Sequence, residues 1–474
     1  MSPMNIQTFG ELKASYPMAK LRRSVKQEVR ENLIQKLQSD ELIFPGIQGY
    51  QTTVIPALIN AILAQHNFIL LGLRGQAKSR ILRSLIELLD PTIPALPTEL
   101  RDNPLFPLSE EGKQMIATMG DEAPIIWVPA AERYVEKLAT PDTTVADLIG
   151  DIDPIKAARH GTGLADLASV HYGLLPRANR GIFAVNELAD LAPKVQVSLF
   201  NILQEGDVQI RGYPIRLPLD VWLVFSANPQ DYTARGKIVT PLKDRIGSEI
   251  RTHYPQTLEE GMQITAQEAW VDRTEGLWIP PFIAASVEAV AFAARNDRRI
   301  DQNSGVSQRL AISLMELVAS NAEQRALRNG ELPVARPLDL YRGAPAVSGK
   351  VELEYEGEMI GAERIVHDLI LAAFANAFGK LSRGIDTSKI VEWFEAGNYL
   401  KISEGPASAV VSQMQAVPGL VAAARKLAES SEPERVVSAG EFVLEGLAGR
   451  KKLSRGEEAY SAPSPSENKK RWGN

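Results

Sequence analysis

The chain has 474 residues, of which 45% are hydrophobic and 23% charged, and its formal net charge is −6 at neutral pH. This length predicts two or three domains, and the charge gives no general reason to expect binding to nucleic acid or to a membrane surface. The absence of cysteine excludes disulfides, thiolate zinc sites, iron–sulfur clusters and cysteine nucleophiles.

The N-terminal segment, residues 1–45, is mixed in charge and contains a predicted helix, SVKQEVRENLIQKLQ. Its first residues lack the apolar stretch of a secretory signal. No apolar run in the chain approaches the ~20 residues that a membrane span needs. We therefore expect a cytoplasmic protein that makes no contact with a membrane.

The segment from residue 46 to 255 alternates between two kinds of pattern. Short apolar runs bounded by turn residues are separated by longer stretches with helical periodicity; the runs are NFILLG, APIIWVPA, GIFAVNE and DVWLVFSANP. Strands that alternate with helices predict an α/β fold, with a parallel sheet covered by helices on both faces.

Helical periodicity continues beyond this segment. Residues 256–330 read as a helical domain, and residues 331–448 as a linker rich in Pro and Gly followed by more helices. Residues 449–474 are polar, basic and rich in Ser and Pro, which predicts a disordered tail.

The first apolar strand of the α/β segment leads into a predicted phosphate-binding loop. The pattern G-x-x-x-x-G-K-[ST] is met except that Ala77 replaces its second glycine, which is tolerable if φ is negative at that residue. Lys78 would neutralise the β- and γ-phosphates, and the Ser79 hydroxyl would bind Mg²⁺. A glycine-rich connector with a chance Lys-Ser pair is the alternative. The predicted loop residues are Gly72, Leu73, Arg74, Gly75, Gln76, Ala77, Lys78 and Ser79.

Polar residues follow the next two apolar strands at their carboxyl ends, where parallel sheets collect ligands. Asn186 and Glu187 end GIFAVNE, and Asn228 ends the strand about forty residues later, where its amide would orient a water molecule and sense the γ-phosphate. Arg245 lies at a predicted helix end and Arg309 at the start of a later helix. Each signal is weak by itself, and their order and spacing make the set informative.

The stretch from FPGIQGYQ to about residue 325 resembles the AAA+ ATPases, in the branch of the magnesium-chelatase ATPase subunit and the MoxR-type ATPases. GLRGQAKS, TTVADLIGDID, GLLPRANRGIF and VQVSLFNILQEGDVQIRGYPIRLPLDVWLVFSANP carry the resemblance. It implies ATP and Mg²⁺ as cofactors, residues 256–330 as a helical lid, and a ring homo-oligomer, typically a hexamer. It further implies sensor 1 at Asn228, an arginine finger at Arg245 that reaches a neighbouring subunit, and sensor 2 at Arg309.

One position departs from the family pattern, because Asn186 stands where relatives carry the aspartate that holds Mg²⁺. Glu187, the expected catalytic carboxylate, is present. Since the loss of an outer-shell partner typically costs about 10–100-fold in metal affinity or activity, we expect a slow ATPase.

We expect this ATPase to remodel a protein partner, with a von Willebrand-type domain protein as a candidate. Two alternatives stay open. One is a nucleic-acid ATPase, either helicase-like or a sigma-factor-dependent activator, although the region from Asp147 to Arg180 contains no GAFTGA loop. The other is a scaffold that binds nucleotide without hydrolysing it.

Overall fold

The computed structural model describes residues 6–156, 169–210, 215–229, 238–456 and 459–463. The chain divides into two compact units, residues 1–253 and 254–474. Within the described residues, no helix combines the length and the apolar character needed to cross a bilayer.

A five-stranded parallel sheet forms the centre of the first unit, in the order β11-β1-β10-β7-β4. Its strands, in chain order, are β1 (Phe68–Leu71), β4 (Tyr134–Leu138), β7 (Gly181–Asn186), β10 (Val221–Ala227) and β11 (Ser248–Arg251). Three of the four predicted apolar runs supply the central strands β1, β7 and β10. The two outer strands, β4 and β11, did not stand out in the sequence.

Both faces of this sheet are buried, which explains why its central strands read as continuous apolar runs rather than as an alternating pattern. On one face, Ile69 and Phe183 belong to a core that includes Leu223. On the other face, Phe68 and Trp222 pack edge-to-face with ring centroids 5.7 Å apart. The α/β fold with helices on both faces of a parallel sheet is confirmed.

The remaining strands of the first unit form two-stranded antiparallel pairs. They are β2 (Thr92–Ala95) with β3 (Ile126–Pro129), β5 (Gly150–Ile152) with β6 (Val170–Tyr172), and β8 (Asp207–Gln209) with β9 (Arg216–Pro218). The prediction that APIIWVPA belongs to the parallel sheet is wrong, because it forms β3 and pairs only with β2. Residues 211–214, between β8 and β9, lie outside the described residues.

Helices of the first unit are mostly short. They are α1 (Phe9–Ser15), α2 (Met18–Arg22), α3 (Val25–Gln38), α4 (Val54–Leu63), α5 (Lys78–Ser84), α6 (Glu110–Met119), α7 (Val145–Leu148), α8 (Leu174–Arg177), α9 (Pro193–Ser198), α10 (Phe200–Gln204) and α11 (Thr240–Arg245). Single 3₁₀ turns lie at Leu85–Leu88, Gly120–Glu122, Ala130–Arg133 and Leu188–Asp190.

The N-terminal segment is part of the first unit rather than a separate element. Helix α3 begins after Ser24, whose hydroxyl accepts a hydrogen bond from the Gln27 N–H, and its apolar face joins the core around β1. Its Glu28 carboxylate is buried and accepts two 2.7 Å hydrogen bonds from the guanidinium of Arg133, which is 1% exposed. Since Arg133 directly precedes β4, this ion pair joins the helix to the start of that strand.

The second unit is helical and has one core. Its helices are α12 (Leu258–Glu268), α13 (Pro281–Asn296), α14 (Arg309–Asn329), α15 (Pro337–Arg342), α16 (Ala344–Ser348), α17 (Tyr355–Ile360), α18 (Ala362–Leu381), α19 (Ser388–Glu395), α20 (Ala407–Met414), α21 (Leu420–Ala428) and α22 (Pro433–Gly449). The core is continuous from Leu258 to Tyr460, so the predicted lid and C-terminal region pack together. The predicted linker contains two of these helices, α15 and α16.

Part of the predicted disordered tail is ordered. The strands β12 (Leu400–Lys401), β13 (Ser454–Arg455) and β14 (Ala459–Ser461) form an antiparallel sheet in the order β12-β14-β13. Arg455 Nε and the Tyr460 hydroxyl each donate a 2.6 Å hydrogen bond to Oε1 of Glu445, which is 2% exposed. The prediction of disorder is therefore wrong for β13 and β14, because a buried carboxylate on α22 accepts hydrogen bonds from their side chains. Residues 464–474 lie outside the described ones.

Candidate functional site

The predicted phosphate loop connects the carboxyl end of β1 to the first residue of α5, as the sequence pattern predicts. A Cβ on Gly72 would lie 1.8 Å from Oγ1 of Thr252 and 2.2 Å from Oε1 of Gln76, so only glycine fits at this residue. The Thr252 hydroxyl donates a 2.7 Å hydrogen bond to Gln76 Oε1, and the Tyr50 hydroxyl donates to the Gln76 carbonyl at 3.0 Å. These contacts hold the loop against β11 and the segment that follows it.

Ala77 is the residue that replaces the second glycine of the pattern, and its backbone is left-handed, with φ of 57° and ψ of 14°. An alanine was expected to be tolerable here if φ is negative, and that condition is not met. The side chain therefore adds strain that a glycine would avoid. Gly75 also has positive φ, at 73°, in a conformation that glycine adopts without cost.

Lys78 extends its buried side chain back across the loop. Its ammonium group donates to the carbonyl of Gly72, to the carbonyl of Leu73 at 3.1 Å and to Oδ1 of Asn228 at 2.7 Å. An ammonium is a compact charge with three donors, and these contacts join the loop to the end of β10. A phosphate oxygen that binds Lys78 would have to replace one of these acceptors.

Asn228 links the lysine to the expected catalytic carboxylate. Its amide nitrogen donates a 3.0 Å hydrogen bond to Oε2 of Glu187. Glu187 follows β7 in a left-handed conformation with φ of 55°, and its backbone N–H donates to the hydroxyl of Ser226 on β10 at 3.4 Å. The ends of β1, β7 and β10 thus bring Lys78, Glu187 and Asn228 into one hydrogen-bonded chain.

Asn186 faces the start of α5 from the end of β7 and is 5% exposed. Its Oδ1 accepts hydrogen bonds from the hydroxyls of Ser79 at 3.3 Å and Ser226 at 2.9 Å. Its amide nitrogen donates to Oε1 of Glu136, on the neighbouring strand β4. The asparagine oxygen therefore points toward the serine expected to bind Mg²⁺.

Of the two predicted arginines, Arg245 is the last residue of α11 and Arg309 belongs to the second unit. Arg245 donates to the Gln204 side chain at 3.1 Å and to the Pro241 carbonyl at 2.8 Å, and its guanidinium lies 4.8 Å from the ring centroid of Phe200. Arg309 is exposed at the first residue of α14, in the second unit. Their roles toward nucleotide remain predictions.

Sequence reasoning missed two residues of this network, Glu136 and Ser226. The stretch AERYVEKLA is not among the predicted strands, whereas its YVEKL part forms β4 at the edge of the sheet. Val135 and Leu138 are separated by two consecutive charged residues, so the stretch lacks the period-2 alternation that would have identified an edge strand. Ser226 lies two residues before Asn228 in a buried strand, where a hydroxyl needs a hydrogen-bond partner.

The side chains present fit a magnesium–nucleotide complex. The Ser79 hydroxyl, the Asn186 amide oxygen and the Glu187 carboxylate are the oxygen donors that Mg²⁺ prefers, and the metal usually takes its other ligands from water and substrate phosphates. Among the described residues, no group of three or more acidic or histidine side chains could hold a metal alone. Such a site would thus hold Mg²⁺ together with the phosphates.

Comparison with known proteins gives short and moderate matches. The family described as the Sigma-54 interaction domain matches residues 163–246. The magnesium-chelatase 38 kDa subunit of Cereibacter sphaeroides is 27% identical over 208 residues, which are 42% of this chain and 55% of that protein. The hydrogenase transcriptional regulatory protein HoxA of Cupriavidus necator is 43% identical over 54 residues, 11% of each chain.

The chain thus spans about half the length of the chelatase subunit and a small part of the regulator. Among solved structures, the complex between the magnesium-chelatase subunits BchI and BchD contains a chain that is 20% identical, with a TM-score of 0.36 and coverage of 67% of this chain and 98% of that one. That likeness is too weak to carry an argument. These sequence matches support the predicted resemblance to AAA+ ATPases of the magnesium-chelatase type, which the parallel sheet and the phosphate loop at its edge also fit.

Proposed function

We propose that this protein binds and hydrolyses ATP in a ring-shaped homo-oligomer and uses the hydrolysis to remodel a protein partner. The observation that carries the proposal is the hydrogen-bonded chain from Lys78 through Asn228 to Glu187. It brings a cation for phosphate, an amide and a carboxylate together at the carboxyl edge of the sheet. Relatives of the magnesium-chelatase type support ATP use in general.

Each residue has a role in this proposal. Bound Mg²⁺ would neutralise phosphate charge and position the phosphates. Lys78 binds phosphate oxygens, and the Glu187 carboxylate accepts the proton of the attacking water. Asn228 holds the carboxylate of Glu187 in place through its amide nitrogen. Its Oδ1 accepts a hydrogen bond from the ammonium of Lys78. Because one amide makes both contacts, a shift of the Lys78 ammonium after loss of the γ-phosphate would move the Asn228 amide and, with it, the Glu187 carboxylate.

Remodelling requires that loss of the γ-phosphate at this site moves a larger part of the chain. We propose that Arg309 of the helical second unit and Arg245 of a neighbouring subunit contact the γ-phosphate, so that hydrolysis shifts the subunits of a hexamer. The partner in this proposal is a protein, and one with a von Willebrand-type domain is the first candidate. Hydrolysis is slow because Asn186 lacks the charge of an aspartate.

The test is ATP turnover by the purified chain, recorded with its mass on a sizing column with and without Mg-ATP. We expect slow phosphate release and a larger assembly with Mg-ATP. Lys78→Ala should lose both, and Glu187→Gln should keep the assembly and lose release. Nucleotide-dependent assembly of the wild-type chain without any phosphate release would instead favour a nucleotide-bound scaffold.

A second candidate function follows from the match to the Sigma-54 interaction domain and from the short match to HoxA, a transcriptional regulator. A sigma-factor-dependent activator would bind DNA or sigma factor and would need a GAFTGA loop, which the sequence lacks between Asp147 and Arg180. Salt-dependent retention of the chain on DNA would favour this candidate. Absence of retention at low salt would remove it.

A further inference from the structure

The Asn186 side chain can present either of two opposite ends to a metal site. An amide oxygen favours a cation or a metal-bound water, whereas an amide nitrogen presents two N–H donors and opposes it. Asparagine substitutes for aspartate in such a place only if something holds the amide with its oxygen toward the metal. The neighbours of Asn186 therefore decide whether the substitution is tolerated.

Glu136 is the neighbour that holds the amide. An ionised carboxylate only accepts hydrogen bonds, so the amide nitrogen of Asn186 must face it, and Oδ1 must then face Ser79 and Ser226. Glu136 reaches this place because β4 runs parallel to β7, with Glu136 opposite Ala184 and Leu138 opposite Asn186. The carboxylate is largely buried, with 21% of its side chain exposed.

The same carboxylate is tied to the helix that begins with the phosphate-loop lysine and serine. Arg83, one turn further along α5, donates to Oε2 of Glu136 at 2.7 Å and to Oε1 at 3.2 Å. This exposed arginine shares the carboxylate with Asn186, and the hydrogen bond that it donates to Glu136 raises the pKa of Arg83. A negative charge is thus present one hydrogen bond away from residue 186.

We propose that Glu136 is the positioning carboxylate of the magnesium site. It fixes the Asn186 amide with its oxygen toward Ser79, and its carboxylate, placed one hydrogen bond behind that amide, offsets only part of the negative charge that Asn186 lacks. The inference rests on the proposed nucleotide site. It also changes the expected effect of Asn186→Asp, which would bring two carboxylates into contact, so that two acceptor groups would face each other without a donor between them.

The test measures how the affinity for a fluorescent ATP analogue depends on Mg²⁺, with Mn²⁺ binding followed by electron paramagnetic resonance. We expect Glu136→Gln to raise the half-saturating metal concentration about 10-fold, within the range for lost outer-shell partners, while metal-free nucleotide affinity stays unchanged. Asn186→Asp alone should not tighten metal binding. The double variant Glu136→Gln/Asn186→Asp exchanges the carboxylate and the amide. It should bring the half-saturating metal concentration back to within about twofold of the wild-type value.

Two further variants separate this role from a structural ion pair. Arg83→Gln breaks the pair but leaves Glu136 on Asn186, so the metal dependence should stay near that of the wild type. Glu132→Gln removes one charge from an exposed residue just before β4 and serves as the matched control. Equal shifts in Arg83→Gln and Glu136→Gln would overturn the proposal, and so would tighter metal binding by Asn186→Asp alone. If the wild-type chain binds no nucleotide, the proposed function fails first, and the inference fails with it.

Discussion

Replacing Glu28 by glutamine tests whether the ion pair between α3 and the start of β4 stabilises the first unit. The carboxylate of Glu28 binds Arg133 through both oxygens at 2.7 Å, and Oε1 also accepts the Asp90 N–H at 2.7 Å. A glutamine can keep the contact with Asp90, but its amide nitrogen would face the N–H donors of a guanidinium that is 1% exposed. Breaking a buried pair on one side typically costs about 3–5 kcal/mol.

The same helix offers a matched control. Glu31 pairs with Arg23 at 2.7 Å, but its side chain is 53% exposed, so Glu31→Gln should cost about 0–1 kcal/mol. The free energy of unfolding of both variants is obtained from urea denaturation followed by circular dichroism, using the transition of the first unit. If Glu28→Gln loses no more stability than Glu31→Gln, the buried pair is not what secures α3 to the sheet, and the reasoning is refuted.

Three further predictions concern the loop and the second unit. Ala77→Gly should stabilise the first unit by about 0.5–1 kcal/mol in the same denaturation experiment, since relief of left-handed strain exceeds the entropy cost of glycine; a loss of stability would contradict the strain. Gly72→Ala should weaken binding of a fluorescent ATP analogue at least 10-fold, because its Cβ would displace Thr252 and Gln76; unchanged affinity would contradict the steric argument. Burial raises the pKa of Glu288, although hydrogen bonds from Gln308 and Thr265 and the charge of Arg295 oppose this shift. The stability that protonated Glu288 contributes is therefore fully present below about pH 4 and is lost as the pH rises through the pKa of the folded state. Denaturation at several pH values should show that Glu288→Gln removes this fall, and parallel curves for variant and wild type would contradict it.

The central part of the fold was predictable because burial on both sides leaves a simple pattern. β1, β7 and β10 are continuous apolar runs, and parallel strands end at one edge, so Asn186, Glu187 and Asn228 could be expected together. Strand β4 lies at the sheet edge, and its sequence YVEKL places two consecutive charged residues between apolar ones, a pattern that is typical of a solvated surface as well.

The conformation of the phosphate loop and the partner of Asn186 could not be predicted. The sign of φ at Ala77 depends on the whole turn between β1 and α5, and alanine by itself favours negative φ. The contact between Glu136 and Asn186 depends on the register of β4 against β7, which 50 residues of sequence separate. Local patterns carry no information on such a register.

The sheet formed by β12, β13 and β14 has a practical consequence for anyone who shortens the chain. A protein ending at Gly449, where the polar composition suggests a safe cut, would lose both Arg455 and Tyr460. The carboxylate of Glu445 would then keep the Tyr341 hydroxyl, at 2.8 Å, and would have no cation beside it. A cut placed after Ala462 would remove the Ser/Pro-rich end and preserve the ion pair between Arg455 and Glu445.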